Sequence, residues 1–312
     1  MLNDNQKNHL HLHFVVFIWG FTAVLGALIT VDAIPLVWYR MLFAVAFVGA
    51  YIGYNRLSWR VSRKALLGFA LAGVVLALHW VMFFMAIRLS NVSVTLAMLS
   101  TGALFTAVLE PLWYRRKPIW YEMALGLVVI FGLYLIFRVE SSYVEGILLA
   151  LLAALLSSVF SLMNGRFAKQ YRPSVISFYE LLAGVLFLSL VMPGDIFTDD
   201  FFALSAADWT YLLILASVCT AYAVISSVKV MKHLSPYTVM LTINMEPVYG
   251  ILLAFFVLGD SEKMSSGFYV GGVVIMATVL ANALLKQRDE ARKRKGPGPG
   301  KGMGAPPGVG VC

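Results

Sequence analysis

Ser235 to Leu258 reads Ser-Pro-Tyr-Thr-Val-Met-Leu-Thr-Ile-Asn-Met-Glu-Pro-Val-Tyr-Gly-Ile-Leu-Leu-Ala-Phe-Phe-Val-Leu. A helix of about 20 mostly apolar residues crosses the hydrocarbon core of a bilayer, and this stretch is long enough. Yet Glu246 sits near its middle, beside Asn244 and Pro247. A carboxylate at that depth costs on the order of 3 kcal/mol on insertion scales. Pro247 removes a backbone hydrogen bond and is the expected hinge of the helix. Such groups are kept at membrane depth where a helix lines a polar cavity. The segment therefore reads as one wall of a substrate pathway.

The rest of the chain places this wall in a membrane. Of 312 residues, 60% are hydrophobic and 13% charged, with a mean hydropathy of +0.82. Soluble domains run about 45–50% apolar and about 25% charged. Ten apolar segments follow one another at approximately 13–30, 34–53, 65–87, 91–113, 120–137, 144–166, 174–192, 209–231, 236–258 and 267–285. The expected fold is an all-α membrane protein of ten transmembrane helices. Connections are short, which weakens a receptor or scaffold role. Residues 1–12 read as a polar cytoplasmic segment. Residues 287–312 read as a basic, then Gly/Pro-rich, disordered cytoplasmic tail.

The net charge of +8 would suit nucleic acid, but its distribution follows topology. With the N-terminus inside, the inward connections hold Arg56, Arg60, Arg63, Lys64, Arg115, Arg116, Lys117, Arg166, Lys169, Arg172 and Lys232. The outward ones hold Arg88, Arg138 and Lys263 among the acids Asp32, Glu140, Glu145, Asp195, Asp199, Asp200, Asp208, Asp260 and Glu262. The positive-inside rule then predicts N-in, C-in insertion, here in a bacterial cytoplasmic (inner) membrane. The partners are the lipid bilayer and a small-molecule substrate, with no nucleic acid. Cys219 and Cys312 build no disulfide framework. His9, His11 and His13 alternate, but without further ligands they read as the start of a helix rather than a metal site. No P-loop is present, so ATP-driven pumping is disfavoured, and neither cofactor nor metal is expected.

The two halves correspond. Leu89-Ser90 precedes the fourth span as Leu234-Ser235 precedes the ninth, and Pro35 to Ala44 resembles Ser174 to Ala183. Trp19-Gly20 falls near Ser157-Ser158. Repeats of five spans are necessarily inverted, giving a first repeat at 13–138 and a second at 139–286, with a site at their interface. This pattern resembles the drug/metabolite transporter (DMT) superfamily, specifically EamA-type transporters. The residues that carry it are Trp19-Gly20, Arg40-x-x-x-Ala44, Leu89-Ser90, and a ninth span running from Pro247 to Leu258-Gly259-Asp260. The resemblance covers about residues 13–286. There are departures: Gly102 stands where the second half has Pro247, and Arg115 where it has Asp260. The resemblance implies a secondary carrier working without ATP, often an exporter of amino acids or other small metabolites.

Polar groups at membrane depth are the candidate site. Glu246 is the strongest: away from cations it would exchange a proton, while paired with Arg40 it would stay ionised and structural. Arg40 binds a substrate anion, pairs with Glu110 or Glu246, or snorkels to the interface. Glu180, its counterpart in the second half, has an ion pair with Arg172 or Arg166 as its structural alternative, and Glu110 has Arg115 or Arg116. His79 would bind substrate, relay a proton or join helices. Trp80, Tyr39, Trp19 and Tyr249 are cavity-wall candidates, and Asn164 and Asn244 donate and accept. Gly49-x-x-x-Gly53 and Gly267-x-x-x-Gly271 permit close helix approach, in a monomer or a homodimer. The competing class is an intramembrane enzyme acting on a lipid or isoprenoid, for which Asp195, Asp199 and Asp200 are too scattered.

Overall fold

The computed structural model describes residues 4–115, 117, 119–139, 141–192, 201 and 203–294. Among these residues there is no strand. The helices are α1 (Asp4–Leu28), α2 (Ala33–Tyr54), α3 (Arg63–Leu89), α4 (Val92–Leu99), α5 (Gly102–Tyr114), α6 (Trp120–Val139), α7 (Val144–Phe167), α8 (Pro173–Val191), α9 (Ala206–Ala216), α10 (Ala223–Val230), α11 (Pro236–Ile243), α12 (Glu246–Leu258) and α13 (Ser266–Arg294). Eight spans among the described residues are long and apolar enough to cross a membrane. Ala124–Ile136 and Ser266–Asn282 are shorter apolar helices. The chain is an integral, multi-pass, all-helical membrane protein.

Helix starts follow local chemistry. The side chains of Ser62, Asn91, Ser205 and Ser235 each accept from a backbone N–H three residues on, an exchange that stabilises a helix by about 1 kcal/mol. α1 begins at Asp4, ahead of the apolar segment that starts near 13, because the polar residues there include no proline or glycine to stop a helix. His11 shares a hydrogen bond with the Tyr222 hydroxyl at 3.1 Å, and no metal-binding group of three is present among the described residues.

The halves interleave. The largest helix contacts are α3 with α7 and α8, α6 with α13, α1 with α12, and α2 with α8. Each joins the first half of the chain to the second. Close approach depends on small residues: a Cβ on Gly132 would lie 3.1 Å from the Gly271 carbonyl, and one on Gly271 would lie 2.8 Å from the Gly132 carbonyl. Gly271 therefore serves packing within the chain.

Two spans are broken in the same way. α4 and α11 have 8 residues each, and α5 and α12 have 13 each. Val92, Gly102 and Tyr114 thus correspond to Pro236, Glu246 and Leu258 at a constant offset of 144. This corrects the alignment read from Ser90 and Ser235. The capping residues Asn91 and Ser235 correspond instead, so Gly102 is the counterpart of Glu246 rather than of Pro247. The expected bend at Pro247 is also revised. The break falls earlier, at Asn244 and Met245. Pro247 occupies the second position of α12, where its missing N–H would have no partner within the helix. The first break has no proline. There, Ser100 Oγ and Thr101 Oγ1 donate to the carbonyls of Ala97 (2.6 Å) and Met98 (2.7 Å).

Candidate functional site

A cavity of about 80 Å³, counted as space open to the centres of water molecules, lies inside the helix bundle. Its wall comes from both halves. Trp19, Thr22, Arg40, Leu76, His79, Trp80, Phe83 and Leu99 face Ser157, Phe160, Ser161, Val224, Ser227, Met231, Val239, Met240, Ile243 and Glu246. One water needs roughly 10–15 Å³ on this measure, so the space holds a handful of waters or a small ligand.

Arg40 is the fixed cation of this site. It is 1% exposed, so it does not snorkel. Its Nε donates to Thr220 Oγ1 at 2.6 Å and its Nη2 to the Cys219 carbonyl at 3.4 Å. The guanidinium lies 3.9 Å from the Trp80 ring centroid, a stacking geometry that holds an arginine by both charge and dispersion. Thr220 and Cys219 lie in a π-helical turn, Ser217–Tyr222, between α9 and α10. Such turns interrupt the regular carbonyl ladder and recur at functional sites. Here the turn presents the Cys219 carbonyl to Trp19 Nε1 (3.2 Å) as well as to Arg40. Arg40 Nη1 has no hydrogen-bond partner among the described residues.

Glu246 is 6% exposed and lines the cavity. It is the first residue of α12, where the unpaired backbone N–H groups favour negative charge. Glu246 and Arg40 share one cavity, but among the described residues no salt bridge joins them. His79 Nδ1 lies 2.8 Å from the Ala153 carbonyl. A carbonyl only accepts, so Nδ1 carries the hydrogen, and in the neutral ring Nε2 is left as an acceptor.

The other expected residues divide. Trp19 and Trp80 line the cavity. Tyr39 does not: its hydroxyl donates to the Phe201 carbonyl at 2.8 Å and its ring stacks on Phe201. Tyr249 packs edge-on against Phe17. Asn244 ends α11 and is 2% exposed. Glu110 lies outside the cavity, in a recess with Tyr114, Lys169, Lys232 and His233. Met231 lines both spaces. Glu180 pairs with neither Arg172 nor Arg166. It accepts from Asn164 Nδ2 at 2.9 Å, while Arg166 donates to the Trp113 carbonyl. Asp195, Asp199, Asp200 and Arg116 lie outside the described residues.

At the end of the bundle opposite the recess, two carboxylates cross between the halves. Glu262 is 4% exposed and accepts from the backbone N–H groups of Val92 (3.1 Å) and Ser93 (2.8 Å) and from Ser93 Oγ (2.7 Å). Asp208 accepts from Thr30 N and Thr30 Oγ1, both at 2.8 Å, and from Ser205 Oγ at 2.7 Å. Sequence reading missed both as contacts. For Asp208 a signal existed: Ser205-x-x-Asp208 has capping-box spacing. For Glu262, and for Thr220 on the π turn, nothing local marks the partner.

Comparison with known proteins agrees with this architecture. The profile of the EamA-like transporter family matches residues 9–138 and again 144–284. An uncharacterized transporter of Archaeoglobus fulgidus is 23% identical over 287 residues, covering 88% of this chain and 96% of that protein. A solved structure titled "Crystal structure of protein" superposes with a TM-score of 0.67 at 17% identity, covering 91% of this chain and 99% of its own; at that identity the likeness is one of fold. With both halves of its length matched, the chain belongs to the EamA-like transporter family, and through it to the drug/metabolite transporter superfamily.

Proposed function

We propose that this protein is a secondary transporter moving a small polar or amphipathic metabolite across a bacterial cytoplasmic membrane by alternating access. In this reading ten spans form two inverted repeats of five. The basic connections lie inside, with both termini, and the direction is export coupled to protons or to exchange. The observation that carries the proposal is the shared cavity. Arg40 and Glu246, a base and an acid that are both buried, face one space between the halves, and among the described residues no salt bridge joins them. Charges held apart in an apolar wall are costly unless a ligand or water completes them. A zwitterion fits: its cationic group against Glu246 and the free acceptor of His79, its acceptor oxygens toward Arg40, its body among Trp19, Phe83 and Phe160. The matched breaks in the fourth and ninth spans support the same view, since discontinuous helices at a repeat interface are a carrier design.

The test uses proteoliposomes loaded with a ¹³C-labelled bacterial metabolite extract. Mass spectrometry of the external medium should show release of a narrow set of small metabolites by the wild type. Glu246→Gln and Arg40→Ala should each remove that release. Release no different from empty liposomes, or unchanged in the double variant, would refute the assignment.

A further inference from the structure

Arg40 is the eighth residue of α2 and Glu180 the eighth of α8. The repeat thus places a buried cation in one half and a buried carboxylate in the other, yet Glu180 is not a wall residue of the central cavity. We infer that Glu180 and Asn164 form a separate site for a small monovalent cation, a proton or Na⁺, reached from that cavity.

Four observations carry this. First, Glu180 is 0% exposed, and its only hydrogen bond among the described residues is the one to Oε1 from Asn164. Second, its Oε2 has no partner, and neither do Asn164 Oδ1 and Ser177 Oγ, both on residues 0% exposed. Two of these three are oxygens able only to accept, the composition that a hard cation or a proton satisfies. Third, every charged group on the elements packed against α8 that the structure describes is engaged or exposed. Arg40 is held by Thr220 and Cys219. Arg88 donates to the Ile29 and Val31 carbonyls, and Arg166 to Trp113. His79 donates to Ala153, and Arg63, Lys64 and Lys229 are exposed. A bare carboxylate in that position costs more than one neutral hydrogen bond returns. Fourth, Asn164 shares a helix face with part of the cavity wall. Ser157 and Ser161 line the cavity on the helix that carries Asn164, and residues three and four apart stand on one helix face. Ser161 Oγ is itself buried without a partner.

Occupancy of this site does not depend on the protein being a carrier; its use in coupling rests on the transporter reading. Infrared difference spectroscopy on the full-length protein in nanodiscs tests it, with Glu180→Gln against wild type. Gln keeps the shape and the acceptor for Asn164. Glu246→Gln serves as the second carboxyl reference. The wild type should show a Glu180 carboxyl signal that responds to cations. In the proton arm this is a protonated C=O stretch present in choline chloride at neutral pH and lost in Glu180→Gln. In the sodium arm it is a carboxylate signal that saturates as NaCl replaces choline at fixed pH. Asn164→Ala should shift the frequency of that signal and gives a second readout if Glu180→Gln fails to fold. A Glu180 signal that is an ionised carboxylate in choline chloride at neutral pH, indifferent to Na⁺, would overturn the inference. So would identical spectra for wild type and variants. Downhill flux in proteoliposomes is measured separately, so loss of the cation site and loss of the carrier assignment are told apart.

Discussion

Glu262 offers the most direct test of how the two halves are tied together at this end. The first N–H groups of a helix have no acceptor within it, so the amides of Val92 and Ser93 are protected by Glu262 alone. Hydrogen bonds to a charged group contribute about 1.5–3 kcal/mol each, and a negative charge at a helix start about 0.3–1 kcal/mol. Glu262→Gln keeps one acceptor oxygen but presents an amide donor where Oε2 now receives two donors. The expected loss is about 2–4 kcal/mol, or roughly a 30- to 900-fold shift in the local opening equilibrium. Hydrogen–deuterium exchange of the peptide spanning Asn91 to Leu99 reads that shift, and Glu262→Ala should exceed it. Exchange at Val92 and Ser93 that is unchanged in both variants would mean that Glu262 does not hold this end, whatever the distances.

Other consequences are equally concrete. Thr220→Val deletes the 2.6 Å acceptor of Arg40 Nε; a charge-assisted bond of about 1.5–3 kcal/mol is lost, and transport should fall about tenfold or more while the protein still folds and inserts. Arg40→Lys keeps the charge but loses the planar stack on Trp80, so flux should fall; flux close to wild type would show that geometry at this position is unimportant. Gly20→Val places a Cβ 2.9 Å from Tyr249 Cβ and 3.3 Å from the Gly250 nitrogen; a clear fall in thermal midpoint is expected, whereas Gly53→Val, with nothing within 4 Å, should be neutral. Tyr39→Phe removes a hydrogen bond to the Phe201 carbonyl but touches no cavity atom, so it should lower stability by about 1 kcal/mol and leave substrate preference unchanged.

Much of this was legible beforehand because hydropathy and helix length are local. The second span was expected at 34–53 and runs Ala33–Tyr54, and the sixth was expected at 144–166 and runs Val144–Phe167. The ninth has the expected ends, and the carboxylate in its middle does line a cavity. The break in the fourth span was not legible, because Ser100 and Thr101 are as compatible with a continuous helix as with an interrupted one. Its cause is tertiary: hydroxyls that satisfy freed carbonyls and a neighbouring half that packs against the gap. Arg40 and Glu180 were recognised as polar groups at membrane depth, with ion pairs to Glu110 or Glu246, and to Arg172 or Arg166, as one alternative for each. The hydrogen-bond partners the structure shows were not legible: Thr220 lies 180 positions from Arg40, and Asn164 is a neutral residue beside Glu180.

By itself, then, the chain of residues determined the solvent it folds in, the places where it crosses that solvent, and which few side chains are too polar to be there without a purpose. Those follow from transfer free energies, which are summed along a segment and need no knowledge of its neighbours. Only the tertiary structure decided which way each helix is rotated. Rotation is set by packing against helices from the other half. It turned Tyr39 onto Phe201 and Glu110 into a separate recess, and it brought Arg40, His79 and Glu246 around one space.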